Sequence, residues 1–376
     1  MRSPAQLGFA MPAEWYPHAA TWMAWPHDDV QWVGMLEPVR REFTALVEAI
    51  AAREPVRLLV ANEESEADAR RRLTHGTIQF HRVPHQDLWL RDSGPTFLTR
   101  SVEAGLPPSL EASADHRSLG EGGQPRLSGP RPSTVSLVDW DFNGWGEKYP
   151  ADLDNQIPIY VARILGGVPL HSPRVIMEGG SIEVDGRGTL LTTRQCLLSP
   201  ERNPGMTEAA LEACLKDNLG ASQVLWLDEG LEGDHTDGHI DTITRFADEQ
   251  TIVTATCEDR DDPNHKVLAA NLDRLQSARS LDGTPYRVVE LPIPARSAEF
   301  EGERLPLTYA NFYIVNGAVL VPVYGDPHDA RAIDILTPLF PGREVVPLMA
   351  RALITGGGAF HCVTQQQPVG ELWRGE

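Results

Sequence analysis

The sequence predicts an α/β fold built from repeated units of hairpin, helix and strand. Apolar side chains recur at three- and four-residue steps over residues 36–50, which is typical of an amphipathic helix, and the β-branched run at residues 56–61 predicts a buried strand directly after it. Further along, residues 309–324 carry Asn316 and Gly317 between two apolar runs, the strongest short-range signal for a β-hairpin. Helical and extended patterns therefore alternate along the chain.

The other predicted elements follow the same order. We predict a helix at residues 65–73, strands at 77–83 and 223–227, a hairpin at 181–193 that turns at Asp185 and Gly186, helices at 207–219 and from 327 to about 340, and a strand at 343–348. The repeating unit spans about 60 to 75 residues, which divides the chain into about five blocks. The blocks share a pattern but no residue identities, so the repeat is predicted from pattern alone.

Composition and charge exclude two classes of partner. The chain has 376 residues, with 33 Lys and Arg against 53 Asp and Glu and a net charge of −20, and no basic cluster stands out. Nucleic acid and anionic membranes are therefore not expected as partners, whereas an acidic surface is compatible with a small cationic substrate. The chain has no C-x-x-C pair, no signal-peptide pattern and no apolar run near the ~18 residues of a membrane span. We expect a soluble, cytoplasmic protein, and a homo-oligomer is compatible with the sequence.

One segment differs in composition from the rest. Residues 101–136 are rich in Pro, Gly and Ser and poor in large apolar side chains. Such a segment cannot bury enough surface to order itself, so we predict a flexible surface insertion there.

Cys362 is the strongest candidate for a reactive group. It directly follows His361 and comes shortly after three consecutive glycines at positions 356–358. Glycine lets the backbone approach a ligand closely and adopt positive φ, so the segment is typical of a presented thiol. The other cysteines are predicted to be ordinary core thiols, because free cysteine usually behaves as a small hydrophobe. They are Cys196, Cys214 and Cys257.

Three further segments carry polar groups where loops are expected. Trp89 and Asp92 precede a Gly-Pro turn, Glu178 precedes two glycines, and His239 and Asp241 are two residues apart, so that their side chains share one face if the segment is extended. Taken singly, these could be a surface ion pair, a turn acid and a solvated loop. Their joint occurrence, roughly one polar group in each block with one block skipped, favours a site.

A thiol, a histidine and several carboxylates form a coherent set for attack on a guanidinium. Carboxylates bind that planar cation through paired charge-assisted hydrogen bonds. Its carbon is a poor electrophile, so attack requires a thiolate, whereas a thiol with a pKa near ~8.5 is mostly protonated at neutral pH. The cation or a neighbouring imidazolium must therefore favour the charged sulfur. A histidine can then protonate departing ammonia and deprotonate the water that cleaves the adduct.

A metal site is the rival interpretation. His235 and His239 are four residues apart and Asp241 is near. That spacing brings ligands together only on a helix, whereas Gly238 and the β-branched residues that follow favour a strand. The glycine run also lacks the context of a phosphate-binding loop. We therefore expect neither a metal nor a phosphate there.

Seven segments, in order, resemble the agmatine deiminases, which belong with the bacterial peptidyl-arginine deiminases in the guanidine-modifying superfamily. The segments are MPAEWYPHAATWMAWP, DLWLRDSGPTF, DFNGWGEKY, MEGGSIEVDGRGTLLTTRQCLLSPERNP, DGHID, LPLTYANFYIVNGAVLVPVYGDP and GGGAFHCVTQQQP. The resemblance covers residues 11–368 apart from the insertion. It implies a five-bladed pseudosymmetric ββαβ propeller, formed by a single catalytic domain over residues 1–376, with the site at its centre.

The resemblance also implies roles for individual residues. Cys362 would be the nucleophile and His239 the general acid and base, while Asp92 and Asp241 would hold the guanidinium nitrogens with help from Glu178. No metal or organic cofactor is implied. The implied reaction converts agmatine and water to N-carbamoylputrescine and ammonia through a thiouronium adduct on the cysteine.

Substrate binding is expected to involve further residues around the nucleophile. Trp89 would form a wall, and the glycine run would bring the backbone of Gly358 close to the ligand. His235 stands where similar proteins usually carry an acid, and Asp234 or Asp237 could replace that acid at the ammonium end of agmatine. Two alternatives stay open at this point, a deiminase of peptidyl arginine and a non-catalytic propeller that recognises a cationic ligand.

Overall fold

One strand arrangement recurs five times in the described part of the chain, which comprises residues 2–30, 32–101 and 133–375 of a computed structural model. Each unit has two antiparallel strands, a helical connection, and a third strand parallel to the second. A parallel pair needs such a crossover, whereas the antiparallel pair can be joined by a tight turn. The sequence-predicted alternation of hairpin, helix and strand is confirmed.

Nineteen strands and eight helices are labelled here within those residues. The strands are β1 (His18–Ala24), β2 (Val56–Val60), β3 (Ile78–Arg82), β4 (Thr96–Ser101), β5 (Ser133–Val138), β6 (Leu170–His171), β7 (Glu183–Val184), β8 (Thr189–Thr193), β9 (Gln223–Leu227), β10 (Thr244–Asp248), β11 (Thr251–Thr256), β12 (Arg287–Pro292), β13 (Glu299–Phe300), β14 (Glu303–Arg304), β15 (Tyr313–Val315), β16 (Ala318–Val323), β17 (Glu344–Met349), β18 (Gln365–Pro368) and β19 (Glu371–Leu372). The helices are α1 (Leu36–Ala51), α2 (Glu63–Arg72), α3 (Leu90–Ser93), α4 (Ile157–Ile164), α5 (Arg194–Leu197), α6 (Glu208–Leu219), α7 (Asn264–Ser277) and α8 (Asp329–Leu336).

The five units follow one another along the chain and are joined at its ends. They are β18-β1-β2, β4-β5-β6, β7-β8-β9, β10-β11-β12 and β15-β16-β17. In the first unit β1, near the amino terminus, pairs antiparallel with β18, near the carboxyl terminus, and β3 extends the sheet beside β2. The segment that carries Cys362 therefore lies next to the first strand of the protein. The short β13–β14 hairpin lies outside the five units.

Local sequence signals explain most element boundaries. The first predicted helix is confirmed as α1, whose apolar stripe is buried, and Thr207 caps α6 by accepting a hydrogen bond from the Ala210 amide. The predicted hairpin at Asn316 and Gly317 is confirmed as β15–β16, with Gly317 at φ +77°. Buried side chains of the helices and sheets form three apolar clusters that hold the units together.

The extended conformation predicted around His239 and Asp241 is wrong in part. Residues Ile240–Thr242 form a turn of 3-10 helix, and β10 begins only at Thr244. The amide of Thr242 hydrogen-bonds to the carbonyl of His239 at 3.3 Å, so local turn geometry overrides the β propensity of the branched side chains here.

The insertion predicted at residues 101–136 is longer than the segment that separates β4 from β5. Ser101 ends β4, and residues 133–136 belong to β5, where Ser101 pairs with Ser133. The remainder of the prediction, residues 102–132, lies outside the described residues. None of the helices in the described ranges is long and apolar enough to cross a membrane.

Candidate active site

A cavity of about 360 Å³ opens between loops from several units and ends at Cys362. Its inner part is lined by Trp89, Asp92, Trp145 and Cys362, and its outer part by aromatic and acidic side chains. The other lining residues are Trp32, Val33, Asp87, Tyr149, His235, Thr236, Phe300, Glu301, Glu303, Leu305, Thr355, Gly356, Gly357 and Gly358. The structure thus brings Trp89, Asp92, His235, Gly358 and Cys362 of the sequence prediction to one cavity.

Asn311 holds the nucleophile candidate in place. Its Nδ2 group donates to Cys362 Sγ at 3.1 Å, and its Oδ1 accepts the amide protons of His361 and Cys362 at 3.0 and 3.3 Å. One amide side chain therefore fixes both the backbone and the sulfur of Cys362. Cys362 is only 3% exposed, and it lines the cavity.

The surroundings of Cys362 favour a protonated thiol when no substrate is bound. Burial, followed by the carboxylates of Asp241 and Asp92, raises the pKa of this thiol well above its usual value. The Asp241 Oδ2 atom is 3.6 Å from the sulfur. A cation placed between these groups would lower the pKa of the thiol by offsetting both negative charges.

Asp92 lies on the one-turn helix α3 and points into the cavity. Trp145 Nε1 donates to its Oδ2 at 2.9 Å, and the Gly180 amide donates to its Oδ1 at 2.9 Å. Burial raises its pKa to about 6, with the nearby His239 opposing the shift and Asp241 adding to it. The carboxylate is therefore fixed in direction and poised to accept a cation.

Asp241 is completely buried, and the side chain beside the nucleophile positions it. His361 Nδ1 is 2.7 Å from Asp241 Oδ2, and His361 Nε2 is 2.7 Å from Glu14 Oε2. Burial alone would raise the pKa of Asp241, but its hydrogen bond with His361 lowers it overall. Asp241 Oδ1 has no hydrogen-bond partner among the described residues, so one acceptor is left for a ligand.

His239 is completely buried between two acids. Its Nδ1 is 3.7 Å from Asp92 Oδ1, and its Nε2 is 3.7 Å from Glu178 Oε2. Burial alone would lower the pKa of His239, but the charge of Asp92 and contacts with Cys196 and Glu178 raise it well above its usual value. Neither ring nitrogen has a hydrogen-bond partner in the described structure, which is typical of a group that awaits a ligand.

Gly180 allows these three groups to pack closely around one backbone position. A Cβ atom at this position would lie 2.5 Å from His239 Nδ1, 2.9 Å from Asp92 Oδ1 and 3.0 Å from Asp241 Oδ2. Gly179 is required for packing, because its Cβ would lie 2.1 Å from the carbonyl oxygen of Arg91. The paired glycines after Glu178 thus serve the geometry of the site.

Glu178 supports the histidine but is not free to face the cavity. Arg202 Nε lies 2.9 Å from both carboxylate oxygens, and both side chains are completely buried. Arg202 also reaches Asp237 Oδ2 at 2.8 Å. Like Asp241 and His239, Glu178 is not among the described residues that line the cavity, and its expected help in holding the guanidinium stays a prediction.

A cluster next to this ion pair has the spacing of metal ligands. One ligand atom each from Glu178, Cys196 and His239 lie within 4.8 Å of one another, and all three residues are buried. The arrangement fits a metal poorly, because the Arg202 guanidinium already occupies both oxygens of Glu178. It also differs from the set considered from sequence, since His235 faces the cavity mouth instead.

Neither of the two acids expected at the ammonium end of agmatine, Asp234 and Asp237, is among the described residues that line the cavity. Asp237 pairs with Lys148 at 2.6 Å and with Arg202, and it does not line the cavity. Asp234 accepts from the Thr236 amide at 2.9 Å and so shapes the loop. His235 does line the cavity, where its Nε2 is 3.0 Å from Glu303 Oε2.

Sequence reasoning missed several residues that complete the site. Among these, Asn311 is the most informative, because it supplies a polar group in the block that seemed to have none. The others are Glu14, Trp145, Cys196, Arg202, Glu303 and His361. Several of them lie within the segments that carry the family resemblance, but no local pattern distinguishes them from ordinary core or surface residues.

The fold and these contacts define a guanidine-modifying type of site, and comparison with known proteins assigns the chain to a family. Residues 10–368 match the model of the Porphyromonas-type peptidyl-arginine deiminases. The chain belongs to this family.

Named relatives are agmatine deiminases that the chain matches over nearly its full length. It is 36% identical to the agmatine deiminase of Ectopseudomonas mendocina, with 97% of each protein covered. The solved agmatine deiminase of Enterococcus faecalis superposes with a TM-score of 0.84 and 30% identity over 98% of both chains. A substrate-bound Cys-to-Ser agmatine deiminase of C. jejuni gives a TM-score of 0.82 and 26% identity over 96% of this chain and 97% of that one.

Proposed function

We propose that this protein hydrolyses agmatine to N-carbamoylputrescine and ammonia, with Cys362 as the nucleophile. The observation that carries the proposal is the cluster of Asp92, Asp241 and His239 around Gly180, with Asp241 Oδ2 3.6 Å from the Cys362 sulfur. The names of the relatives supply the substrate. None of the described residues that line the cavity is Lys or Arg, so the wall suits a dication without a carboxylate.

Guanidinium binding is the first step. The Asp92 and Asp241 carboxylates would accept its N–H donors, because paired charge-assisted hydrogen bonds match the planar cation. The free acceptor on Asp241 Oδ1 supports this role. Trp89 and the Gly358 backbone would confine the group, since a Cβ on Gly358 would lie 2.6 Å from the Trp89 ring.

Binding of the cation then prepares the nucleophile. The bound guanidinium offsets the negative charge of Asp92 and Asp241 and so lowers the pKa of the Cys362 thiol, which then loses its proton to water in the cavity. The thiolate attacks the guanidinium carbon and forms a C–S bond. Asn311 Nδ2 would stabilise the charged sulfur by donating to it.

His239 completes the reaction as acid and base. It donates a proton to the departing nitrogen as the C–N bond breaks, which releases ammonia and leaves an S-alkylthiouronium on Cys362. It then takes a proton from the attacking water, and cleavage of the C–S bond returns the thiolate and the N-carbamoyl product. Glu178 would hold the imidazole in position.

The finer architecture supports a central site. We infer that the five units form the blades of a pseudosymmetric propeller within a single domain over residues 1–376, with the segment 102–132 inserted in one blade. Each unit contributes one residue within a few positions of its first strand, which would bring those loops to a common axis. These residues are Asp92 before β4, Glu178 before β7, Asp241 before β10, Asn311 before β15 and Cys362 before β18.

An ammonia-release assay over three substrates tests this function. Agmatine, free arginine and an arginine-containing peptide are compared at equal concentration, and we expect kcat/KM to be highest for agmatine. Preference for the peptide would make the protein a peptidyl-arginine deiminase. Binding of agmatine without release of ammonia would instead leave a non-catalytic binding protein.

A further inference from the structure

The mouth of the cavity holds a side-chain network that the chemistry at Cys362 does not use. His235 Nε2 lies 3.0 Å from Glu303 Oε2, and His235 Nδ1 lies 2.9 Å from the Tyr149 hydroxyl. The Tyr149 and His235 rings are stacked, with centroids 6.4 Å apart. All three side chains line the cavity and come from separate parts of the chain. Their contact is therefore a product of the fold.

The glycine run connects this network with the nucleophile. A Cβ atom on Gly357 would lie 3.8 Å from the His235 ring, and a Cβ on Gly358 would lie 3.1 Å from Cys362 Sγ. The Cα atoms of Gly357 and Gly358 are only about 3.8 Å apart, because the two residues are adjacent. The imidazole of His235 and the thiol of Cys362 therefore face neighbouring residues of the same glycine run. A short linear substrate that reacts at Cys362 can therefore reach the network with its other end.

The β13–β14 hairpin aims Glu303 at the cavity. Its turn residues Glu301 and Gly302 have φ of 51° and 86°, the positive values of a tight hairpin turn. Successive side chains of a strand point to opposite faces, and Arg304 points away to reach Asp262 Oδ2 at 2.6 Å. This anchor fixes the strand with Glu303 on the cavity side.

Glu303 contacts the network through His235. The Tyr149 hydroxyl can donate a hydrogen bond to His235 Nδ1. The N–H group at Nε2 then donates a hydrogen bond to the Glu303 carboxylate. Lys and Arg are absent from the described cavity lining, and Lys148, which donates to the His235 carbonyl at 2.8 Å, is paired with Asp237 at 2.6 Å. The Glu303 side chain is 72% exposed, which places its carboxylate at the entrance and within reach of solvent.

We propose that Glu303, oriented by His235, binds the ammonium group at the far end of the substrate. The inference rests on the proposed function and adds the residue that selects a guanidine with a terminal amine. Arginine carries an α-carboxylate near its far end, which Glu303 would repel. Strand β14 thus supplies the acid that was expected at Asp234 or Asp237.

The test compares agmatine with pentylguanidine, in which a methyl group replaces the ammonium. The variant Glu303→Gln keeps the shape and the contact with His235 but removes the charge. We expect kcat/KM for agmatine to fall about three- to tenfold, as for loss of an exposed ion pair that the substrate partly covers, with no change for pentylguanidine. Glu299→Gln is the matched control, since this exposed acid lies on the same hairpin but not in the described cavity lining.

The outcomes separate this inference from the proposed function. Suppose that the wild type is active and that the ratio of kcat/KM for agmatine over pentylguanidine is the same in Glu303→Gln. This result overturns the role of Glu303 but not the proposed function. An equal fall for both substrates also overturns it, because the effect would then be structural. If the wild type releases ammonia from neither guanidine, the proposed function fails and this inference fails with it. A selective fall that shrinks at high ionic strength supports it.

Discussion

His361 and Asp241 are joined by a hydrogen bond of 2.7 Å, so the residue next to the nucleophile also orients the carboxylate that faces the nucleophile. The other ring nitrogen of His361 is held by Glu14, whose Oε2 lies 2.9 Å from Arg245 Nη2. Burial of these groups makes an unpaired member costly, so the chain is expected to keep one geometry. The position of Asp241 therefore depends on residues outside the cavity.

The first prediction concerns this support. In His361→Gln the hydrogen bond that lowers the pKa of Asp241 is lost or weakened, so that pKa should rise and a second ionisation should steepen the fall of kcat/KM on the acidic side. The activity lost at neutral pH should recover in part as pH rises. The pH profile of ammonia release measures this, with His75→Gln as the control, since the half-buried His75 contacts Thr77 Oγ1 through Nδ1 and does not line the cavity. A uniform loss at every pH would mean that His361 acts only as a packing residue.

The second prediction follows from the pKa of Asp92. Burial raises that pKa to about 6, so Asp92 is protonated below this pH and cannot hold the guanidinium charge. We expect kcat/KM for agmatine to rise with pH through about 6 in the wild type. Asp92→Asn should remove this limb and lower kcat/KM about 30- to several thousand-fold, as for a lost buried charge pair. Activity within a few-fold of wild type would show that Asp92 does not touch the substrate.

The third prediction uses the space over Gly180. In Gly180→Ala the added methyl group would lie 2.5 Å from His239 Nδ1 and 2.9 Å from Asp92 Oδ1, so both side chains would have to move. We expect ammonia release to fall below about one hundredth of wild type, because a displacement near 1 Å can cost that much. Gly76→Ala is the matched control, since nothing lies within 4 Å of its Cβ. Full activity in Gly180→Ala would place substrate elsewhere.

The fourth prediction tests the covalent step. Cys362→Ser should abolish turnover with unchanged circular dichroism, because a serine hydroxyl is far less ionised at neutral pH and neither ring nitrogen of His239 hydrogen-bonds to this side chain in the described structure. Cys214→Ser, at a half-buried cysteine on α6, should retain activity. Mass spectrometry of wild type quenched during turnover should find an adduct on Cys362. Residual turnover in Cys362→Ser at more than a few per cent would rule out the thiouronium route.

Elements and residues that carry a local signal in the sequence could be predicted from it. The helix α1 and the β15–β16 hairpin were predictable because periodicity and an Asn-Gly turn are local signals. Cys362 and Asp92 could be proposed as site residues because each lies near a glycine run or a Gly-Pro turn, which is a local signal. Asn311 was not, since an asparagine between alanine and phenylalanine carries no such mark.

Two other features depended on distant contacts. The local sequence around Arg202 is typical of a surface arginine. The fold nevertheless buries Arg202 against Glu178, which lies on another loop. Glu303 becomes an acid of the site only when its hairpin meets His235. Pairing between residues far apart in sequence is set by the packing of the units, so it could not be read from either segment alone.

The last prediction concerns the segment between β4 and β5. Ser101 and Ser133 are directly paired as the last and first residues of two antiparallel strands, so their ends are already adjacent without residues 102–132. A two-residue Asn-Gly turn is the connection that best fits such strands. Replacing residues 102–132 by Asn-Gly should therefore leave the melting temperature and kcat/KM for agmatine nearly unchanged, and a scan of both quantities checks this. The same replacement should lower the melting temperature strongly if the segment packs on the units, and it should lower kcat/KM alone if the segment contributes to substrate binding.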